Sequence, residues 1–237
     1  YFPKVREAAF KKTEIPAPSA GELLIKTRRT LISTGTEMTA YCGEFEAGTT
    51  WEKHFSCPYY PGYNNIGTVV GVGEGVASDW LGKRVATNCT HAAYVVKLLH
   101  GSENQAKGKG ECHLVPESIE DDDAVFFMIP QIVMNGIRAS KIQWGECAVV
   151  YGLGLLGQFA VRFLLEAGAC PVIGVDMAEY RLELLPDSPA VIRVNPAKEN
   201  VEDVLRRGNS GRKADVVIEL TGNASLLQQE AALLREK

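Results

Sequence analysis

The chain has 237 residues, with 25 lysines and arginines against 29 aspartates and glutamates, and a formal net charge of −4. The missing basic surplus argues against a nucleic-acid partner, because proteins that follow phosphates cluster Lys and Arg. An apolar content of 46% with 23% charged residues is ordinary for a globular protein and excludes disorder, collagen and coiled coil. The sequence contains no run of about 18 uncharged apolar residues, so no membrane span is predicted. The sequence therefore predicts a cytoplasmic protein with no membrane partner.

The start of the chain and its cysteines bear on compartment. The first residue is Tyr1 rather than Met, so part of the N-terminus is expected to be missing and a cleaved signal stays open. The six cysteines never form a C-x-x-C pair and are too sparse for a disulfide scaffold. We interpret them as reduced thiols.

The first half of the chain is predicted to be an irregular β domain. Short β-rich runs alternate with Gly, Pro, Asn and Ser turns, and the predicted strands are 23–28, 66–72, 83–86 and 92–97. The segment 98–110 is predicted to be a mobile surface loop. Residues 121–141 are predicted to form one helix, because three aspartates favour its start and apolar residues recur every three or four positions. The aspartates themselves indicate a solvated helix start and not a functional site.

After residue 145 the pattern becomes an alternation of strands and helices. The predicted strands are 147–151, 171–175, 190–194 and 215–220, and the predicted helices are 158–167, 180–185, 201–207 and the terminal stretch 233–237. This alternation predicts a parallel sheet with right-handed crossovers, and hence an α/β fold. We predict domains at 1–120 and 146–237, joined by a linking helix region at 121–145.

The strongest motif is a glycine turn between the predicted strand 147–151 and the helix that follows. It has the G-x-G-x-x-G spacing of a dinucleotide-binding fingerprint and comprises Gly152, Leu153, Gly154, Leu155, Leu156 and Gly157. Gly152 permits the tight turn, Gly154 lets the backbone approach a pyrophosphate, and Gly157 allows close packing of helix on sheet. Asp176 ends the next strand, where an acidic residue accepts hydrogen bonds from the adenosine ribose. A tight turn in another α/β protein would have to match these spacings by chance.

Four segments resemble, in order, the medium-chain dehydrogenase/reductase superfamily of alcohol and polyol dehydrogenases. They are I-P-A-P with G-E-L-L-I-K at 15–26, P-G-Y-N-N-I-G-T-V-V with G-E-G-V at 61–76, G-K-R-V at 82–85 and D-V-V-I-E-L-T-G at 215–222. The resemblance covers essentially the whole chain. It implies a GroES-like β domain followed by a Rossmann domain. The chain ends where the family continues its Rossmann sheet, so we expect a truncated chain.

The sequence departs from the zinc-type members of that family at every metal position. The family's C-G-[ST]-D resembles T-G-T-E at 34–37, its G-H-E resembles Gly62-Tyr63-Asn64, and the third ligand region, 128–131, offers no Cys, His or carboxylate. Hydroxyl, phenol and amide groups are poor zinc ligands, so we predict no metal. The structural zinc lobe also looks absent, since Cys89 alone stands in its place. The pairs His54 with Cys57 and Cys112 with His113 have no second pair at ligand spacing and are interpreted as ordinary residues.

A metal-free hydride transfer still needs hydrogen-bond donors for the developing oxyanion. The resemblance places Thr36 at the family's Ser/Thr proton relay and Tyr63 at the zinc histidine, so these two are the predicted catalytic donors. Thr34, Asn64 and Gln131 are predicted supporting polar residues. A buried phenol that merely fills a vacated pocket is the competing interpretation of Tyr63.

Several other residues receive provisional assignments. Glu37 is predicted to form a structural ion pair. Tyr41, Phe45 and Trp51 offer apolar bulk in a substrate region, although aromatic residues are more often core.

The predicted cofactor is NAD rather than NADP, because Asp176 would repel a 2′-phosphate. Arg181 lies nearby in sequence and could accommodate that phosphate, and Thr221 falls on the nicotinamide side.

Three functions stay open: a zinc-independent NAD-dependent dehydrogenase of alcohols or ketones, a quinone or enone reductase of the same superfamily, and a non-catalytic NAD-binding module. S-T-G-T-E at 33–37 also faintly resembles the bacteriochlorophyllide dehydrogenase branch. A homodimer is left open.

Overall fold

The computed structural model describes residues 1–99 and 112–236, which divide into two compact units at Met128 and Ile129. The predicted mobile loop over 98–110 therefore lies, beyond residue 99, outside the described residues. The domain bounds at 120 and 146 stay a prediction.

The first unit is built on an antiparallel sheet. Its strands are β1 Glu22–Thr30, β2 Asn65–Val72, β3 Arg84–Thr87, β4 Tyr94–Leu98 and β5 Cys112–Leu114, in the spatial order β4-β1-β2-β3-β5. Its helices are α1 Thr36–Cys42, α2 Thr50–His54 and α3 Asp121–Ala124. Alternate apolar residues of the strands form the core, with Leu23, Ile25 and Val85 fully buried. The four predicted strands are confirmed, whereas β5, α1 and α2 are additional.

The helix α4 Met128–Ser140 lies in the second unit from Ile129 onward, and this unit contains a parallel sheet of the order β8-β7-β6-β9. The strands are β6 Ala148–Tyr151, β7 Val172–Val175, β8 Val191–Val194 and β9 Val216–Glu219, and the other helices are α5 Leu155–Glu166, α6 Glu179–Glu183, α7 Val201–Gly208 and α8 Leu227–Ala232. Every residue of β6 and β7 is buried, as expected for strands covered on both faces. The predicted parallel sheet is confirmed.

The single helix predicted over 121–141 is wrong, because the structure has two helices there. Phe126 and Phe127 form a turn with hydrogen bonds to Asp123 and Ala124, three residues back. Pro130 has no N–H to donate to the carbonyl of Phe126, and its ring would clash with that carbonyl in a continuous helix. The proline is tolerated only because it lies in the first turn of the new helix α4.

The helix predicted over 233–237 is also wrong. Leu233 is buried, its carbonyl accepts the N–H of Ala214 at 2.9 Å, and the N–H of Arg235 donates to the Ala214 carbonyl at 2.9 Å. Strand-like pairing next to β9 therefore replaces the helix after Ala232. In contrast, α5 begins at Leu155, three residues before its predicted start, because the helix follows the glycine turn directly.

No helix within the described ranges has both the length and the apolar character that crossing a membrane requires.

Candidate functional site

The glycine turn joins β6 to α5, and two of its glycines are sterically required. Gly152 has a φ of +84°, and a Cβ there would lie 2.9 Å from the backbone nitrogen of Thr221. A Cβ on Gly157 would lie 2.0 Å from the carbonyl oxygen of Gly152, so only glycine lets the helix pack this closely on the turn. These contacts agree with the mechanical roles predicted for the two residues.

Gly154 differs, because its α-carbon faces open space. A Cβ built on it would meet no heavy atom within 4 Å, and its φ of −67° is accessible to any residue. Gly154 is also the N-cap of the twelve-residue helix α5, and no side chain caps the helix there. Unpaired N–H groups and the positive end of the helix dipole favour an anion at this position. The cradle therefore fits the pyrophosphate of a dinucleotide.

Asp176 follows β7 and is held against the glycine turn. Its Oδ2 accepts the N–H of Leu153 at 2.8 Å, its Oδ1 accepts the N–H of Ala178 at 2.8 Å, and its side chain is 8% exposed. The Arg181 guanidinium lies 3.3 Å from Oδ2. Burial alone would raise the pKa of Asp176, but these two N–H donors and Arg181 outweigh it and hold the pKa below its usual value. The carboxylate is therefore ionised at neutral pH.

The loop after β9 borders the glycine turn. Tyr151 and Glu219 are register partners of β6 and β9, and Glu219 accepts hydrogen bonds from the N–H and hydroxyl of Thr221. Burial opposes ionisation of Glu219, yet these donors and the N–H of Gly222 lower its pKa. The structure thus brings together Gly152, Asp176 and Thr221, which are distant in sequence, at the carboxyl ends of β6, β7 and β9. Ligands of open parallel sheets bind at such ends.

The predicted catalytic residues lie in the first unit, except Gln131, which lies on α4 of the second. Thr34 is exposed, Thr36 begins α1 and is partly exposed, and Tyr63 is half-buried just before β2. Asn64 is fully buried, and neither its side-chain nitrogen nor its oxygen has a hydrogen-bond partner among the described residues. An unpaired buried amide is costly, so a water or ligand atom at this position would be stabilising.

Sequence reasoning missed His91, the partner of Glu37. The Glu37 carboxylate is held by two contacts: His91 Nε2 lies 2.9 Å from Oε2, and Oε1 accepts the N–H of Ser33 at 3.0 Å. The ion pair predicted for Glu37 requires a protonated His91 and stays a prediction. No local sequence pattern predicts a contact between Glu37 and His91, which are 54 positions apart. The burial of Glu37 is visible only in the structure, and it requires such a partner because a buried carboxylate needs donors.

The aromatic residues near this region form a cluster. Phe55 is its buried centre, and the rings of Phe45, Trp51 and Tyr59 have their centroids 5.7, 5.0 and 5.0 Å from it, respectively. Trp51 is half exposed, and the Tyr41 hydroxyl donates to the carbonyl of Arg6 at 2.8 Å. Packing accounts for most of this cluster.

Possible metal ligands do not cluster in the described part of either unit. Within the described residues, no group of three or more His, Cys, Asp or Glu side chains could hold a metal ion. The rings of His54 and His113 contact Phe55 and Phe127 instead.

The architecture is that of a GroES-like unit followed by a Rossmann unit, and comparisons with known proteins agree. Residues 19–118 match the family model of the alcohol dehydrogenase GroES-like domain. The L-threonine 3-dehydrogenase of Escherichia fergusonii is 30% identical over 234 residues, covering 89% of this chain and 66% of that protein.

Two solved structures share the fold. A short chain alcohol dehydrogenase from E. coli CFT073, complexed with NADH, superposes with a TM-score of 0.75 at 22% identity, covering 98% of this chain and 72% of that one. The 2R,3R-butanediol dehydrogenase from Bacillus subtilis gives the same four values. The chain belongs to the medium-chain dehydrogenase/reductase superfamily. It spans about two thirds of the length of the curated relative, 66%.

Proposed function

We propose that this chain is the cofactor-binding and substrate-binding part of a zinc-independent, NAD-dependent oxidoreductase, which transfers hydride between nicotinamide and an alcohol or ketone. The observation that carries the proposal is the glycine turn with the open space at Gly154 and the ionised Asp176 beside it. The dehydrogenase names of its relatives support the reaction class.

The second unit supplies the cofactor site in this proposal. The backbone from Gly152 to Gly157 and the start of α5 hold the pyrophosphate, and Asp176 accepts hydrogen bonds from the ribose hydroxyls. Because Asp176 is ionised and only 8% exposed, a 2′-phosphate next to it would be repelled, which favours NAD. Thr221 borders the turn and is assigned to the nicotinamide side.

The residues at the family's zinc-ligand positions do not fit zinc. The residues at the family's ligand positions are Thr34, Tyr63 and Gln131, which present a hydroxyl, a phenol and an amide. Zn²⁺ in proteins prefers thiolate, imidazole or carboxylate. We therefore derive no catalytic step through a metal.

Hydrogen-bond donors replace a Lewis acid in the proposed chemistry. A bound NAD would supply the nicotinamide that accepts hydride from the carbinol carbon of an alcohol, or as NADH returns it to the carbonyl carbon of a ketone. The hydroxyls of Thr36 and Tyr63 donate to the substrate oxygen and stabilise its negative charge, while Thr34 and Asn64 support them.

An assay of cofactor reduction and oxidation over alcohols, ketones and quinones tests this function. We expect NAD-dependent turnover with alcohols or ketones in the full-length protein. Turnover of quinones or enones with NADPH alone would instead identify a reductase, and saturable NADH binding with no turnover on any class would identify a binding module.

A further inference from the structure

Glu37 and His91 form a carboxylate–imidazole pair, in which the carboxylate is buried and the imidazole is partly buried. The Glu37 side chain is 4% exposed and that of His91 21%, with 2.9 Å between Oε2 and Nε2. The second carboxylate oxygen is used by the N–H of Ser33. Both oxygens of Glu37 are therefore held, and its rotamer is fixed.

The pair connects the two segments that carry the proposed donors. Glu37 follows Thr36 in α1, so fixing its side chain fixes the first turn of that short helix. His91 donates its backbone N–H to the carbonyl of Pro61 at 2.9 Å. A Cβ on Gly62, which has a φ of +109°, would lie 2.5 Å from the backbone nitrogen of His91, so this backbone lies directly against His91. Tyr63 follows immediately.

The hydrogen bonding defines the state of the imidazole. Nδ1 of His91 is buried and has no hydrogen-bond partner in the described part of the chain. A proton on Nε2 can be donated to Glu37, whereas a proton on Nδ1 would be a buried donor without a partner, so the geometry favours the Nε2–H tautomer.

The charge of Glu37 reaches the neighbouring phenol of Tyr59. The pKa of Tyr59 is raised by burial, then by the negative charge of Glu37 and by Tyr63. The carboxylate and the ring of Tyr59 therefore lie close together.

We propose that Glu37 and His91 are positioning residues, which lock the hydroxyls of Thr36 and Tyr63 in the arrangement that the substrate oxygen requires. The inference rests on the proposed function. It goes beyond a plain structural ion pair, because it states that His91 acts on turnover through Tyr63.

A double-mutant cycle in the full-length protein tests this route. The variants are His91→Asn, Tyr63→Phe and their combination, with His113→Asn, an exposed histidine on β5, as the matched control. We expect His91→Asn to lower kcat by up to about 10²-fold, the cost typical of misplaced groups, with unchanged NADH affinity. In the Tyr63→Phe background the same substitution should cost little more, because its effect passes through the missing hydroxyl. Fully additive losses, or full turnover of His91→Asn, would overturn the inference.

Nitrogen-15 NMR of the histidine-labelled protein gives a readout that needs no substrate, and its wild-type result needs no variant. We expect the Nε2–H tautomer of His91 in the wild type, and loss of that fixed tautomer in the near-isosteric Glu37→Gln. A proton on Nδ1 in the wild type would overturn the positioning role of Glu37 and His91 but would leave the proposed function standing. A wild type that neither binds NADH nor turns over any alcohol or ketone contradicts the proposed function first, and the positioning role with it.

Discussion

The backbone N–H of Leu153, the second residue of the glycine turn, donates a 2.8 Å hydrogen bond to Oδ2 of Asp176 at the end of the neighbouring strand. The acid that is assigned to the ribose therefore also fixes the turn that is assigned to the pyrophosphate. One carboxylate couples the two halves of the proposed cofactor site. A substitution of Asp176 is therefore expected to change the stability of the turn as well as the preference between NAD and NADP, and both should be measured.

Substitutions of two glycines of the turn are expected to have different effects, one on cofactor binding and the other on stability. Gly154→Ala should weaken NADH binding about tenfold or more, roughly 1.4 kcal/mol, because the added methyl occupies open space that the pyrophosphate would use. Its melting temperature should stay that of the wild type. Gly157→Ala should lower the melting temperature, since its Cβ would lie 2.0 Å from the Gly152 carbonyl oxygen.

Gly35→Ala is the control for this pair, because Gly35 is also open and lies in the first unit. Titration of NADH and thermal unfolding measure both effects. Undiminished NADH binding by Gly154→Ala would show that the open space is not the phosphate cradle.

The hydroxyls of the first unit are expected to act on turnover alone. Thr36→Val and Tyr63→Phe should each lower kcat by about 10²–10³, the usual cost of losing one preorganised donor, and leave NADH affinity unchanged. Steady-state kinetics and NADH titration check this. If both variants keep full turnover and lose only thermal stability, the polar residues merely fill a pocket and the catalytic donor lies elsewhere.

Glu230 on α8 predicts a pH-dependent stability. The residue is 3% exposed, Oε1 has no partner among the described residues, and burial, followed by the charge of Glu219, raises its pKa. A folded pKa above the unfolded one means that the folded state binds the proton more tightly. The stability contributed by the protonated acid is present below the unfolded pKa and is lost as the pH rises through the folded pKa.

Glu230→Gln should therefore raise the melting temperature at pH 7, by about 2–4 °C if the gain is near 1 kcal/mol. The gain should shrink on acidification, because the wild-type acid is then neutral too. Thermal scans across pH measure this, with the exposed Glu236→Gln as control. A Glu230→Gln protein that is less stable than the wild type at pH 7 would contradict the assigned shift.

Metal content is predicted from the donor chemistry. Elemental analysis of the purified protein should find far less than one zinc per chain, and incubation with a chelator should leave turnover unchanged. A content near one zinc per chain that falls together with activity would contradict zinc independence.

The Rossmann unit was predictable because its signals are local. The residues of β6 and β7 are apolar throughout, and the three glycines stand at fixed spacing in one turn. The two wrong helices had local patterns that other contacts overrode. Pro130 broke the first, and backbone pairing of Leu233 and Arg235 with Ala214 replaced the second.

The polar interior of the first unit was less predictable. The Glu37 and His91 pair joins residues 54 positions apart, and no periodicity marks such a contact. The helices α1 and α2 have seven and five residues, too few to show an apolar repeat. Thr36 and Tyr63 were assigned through the family resemblance and not through a pattern of their own.

The most direct test of the central claim is a paired titration of the purified protein with NADH and NADPH. We expect saturable binding of one NADH per chain and weaker binding of NADPH, because ionised Asp176 would face the 2′-phosphate. Asp176→Ser should narrow the difference between the two affinities, because NADPH would then bind without repulsion from the carboxylate. Absence of NADH binding, or NADPH binding as tight as that of NADH in the wild type, would contradict the account.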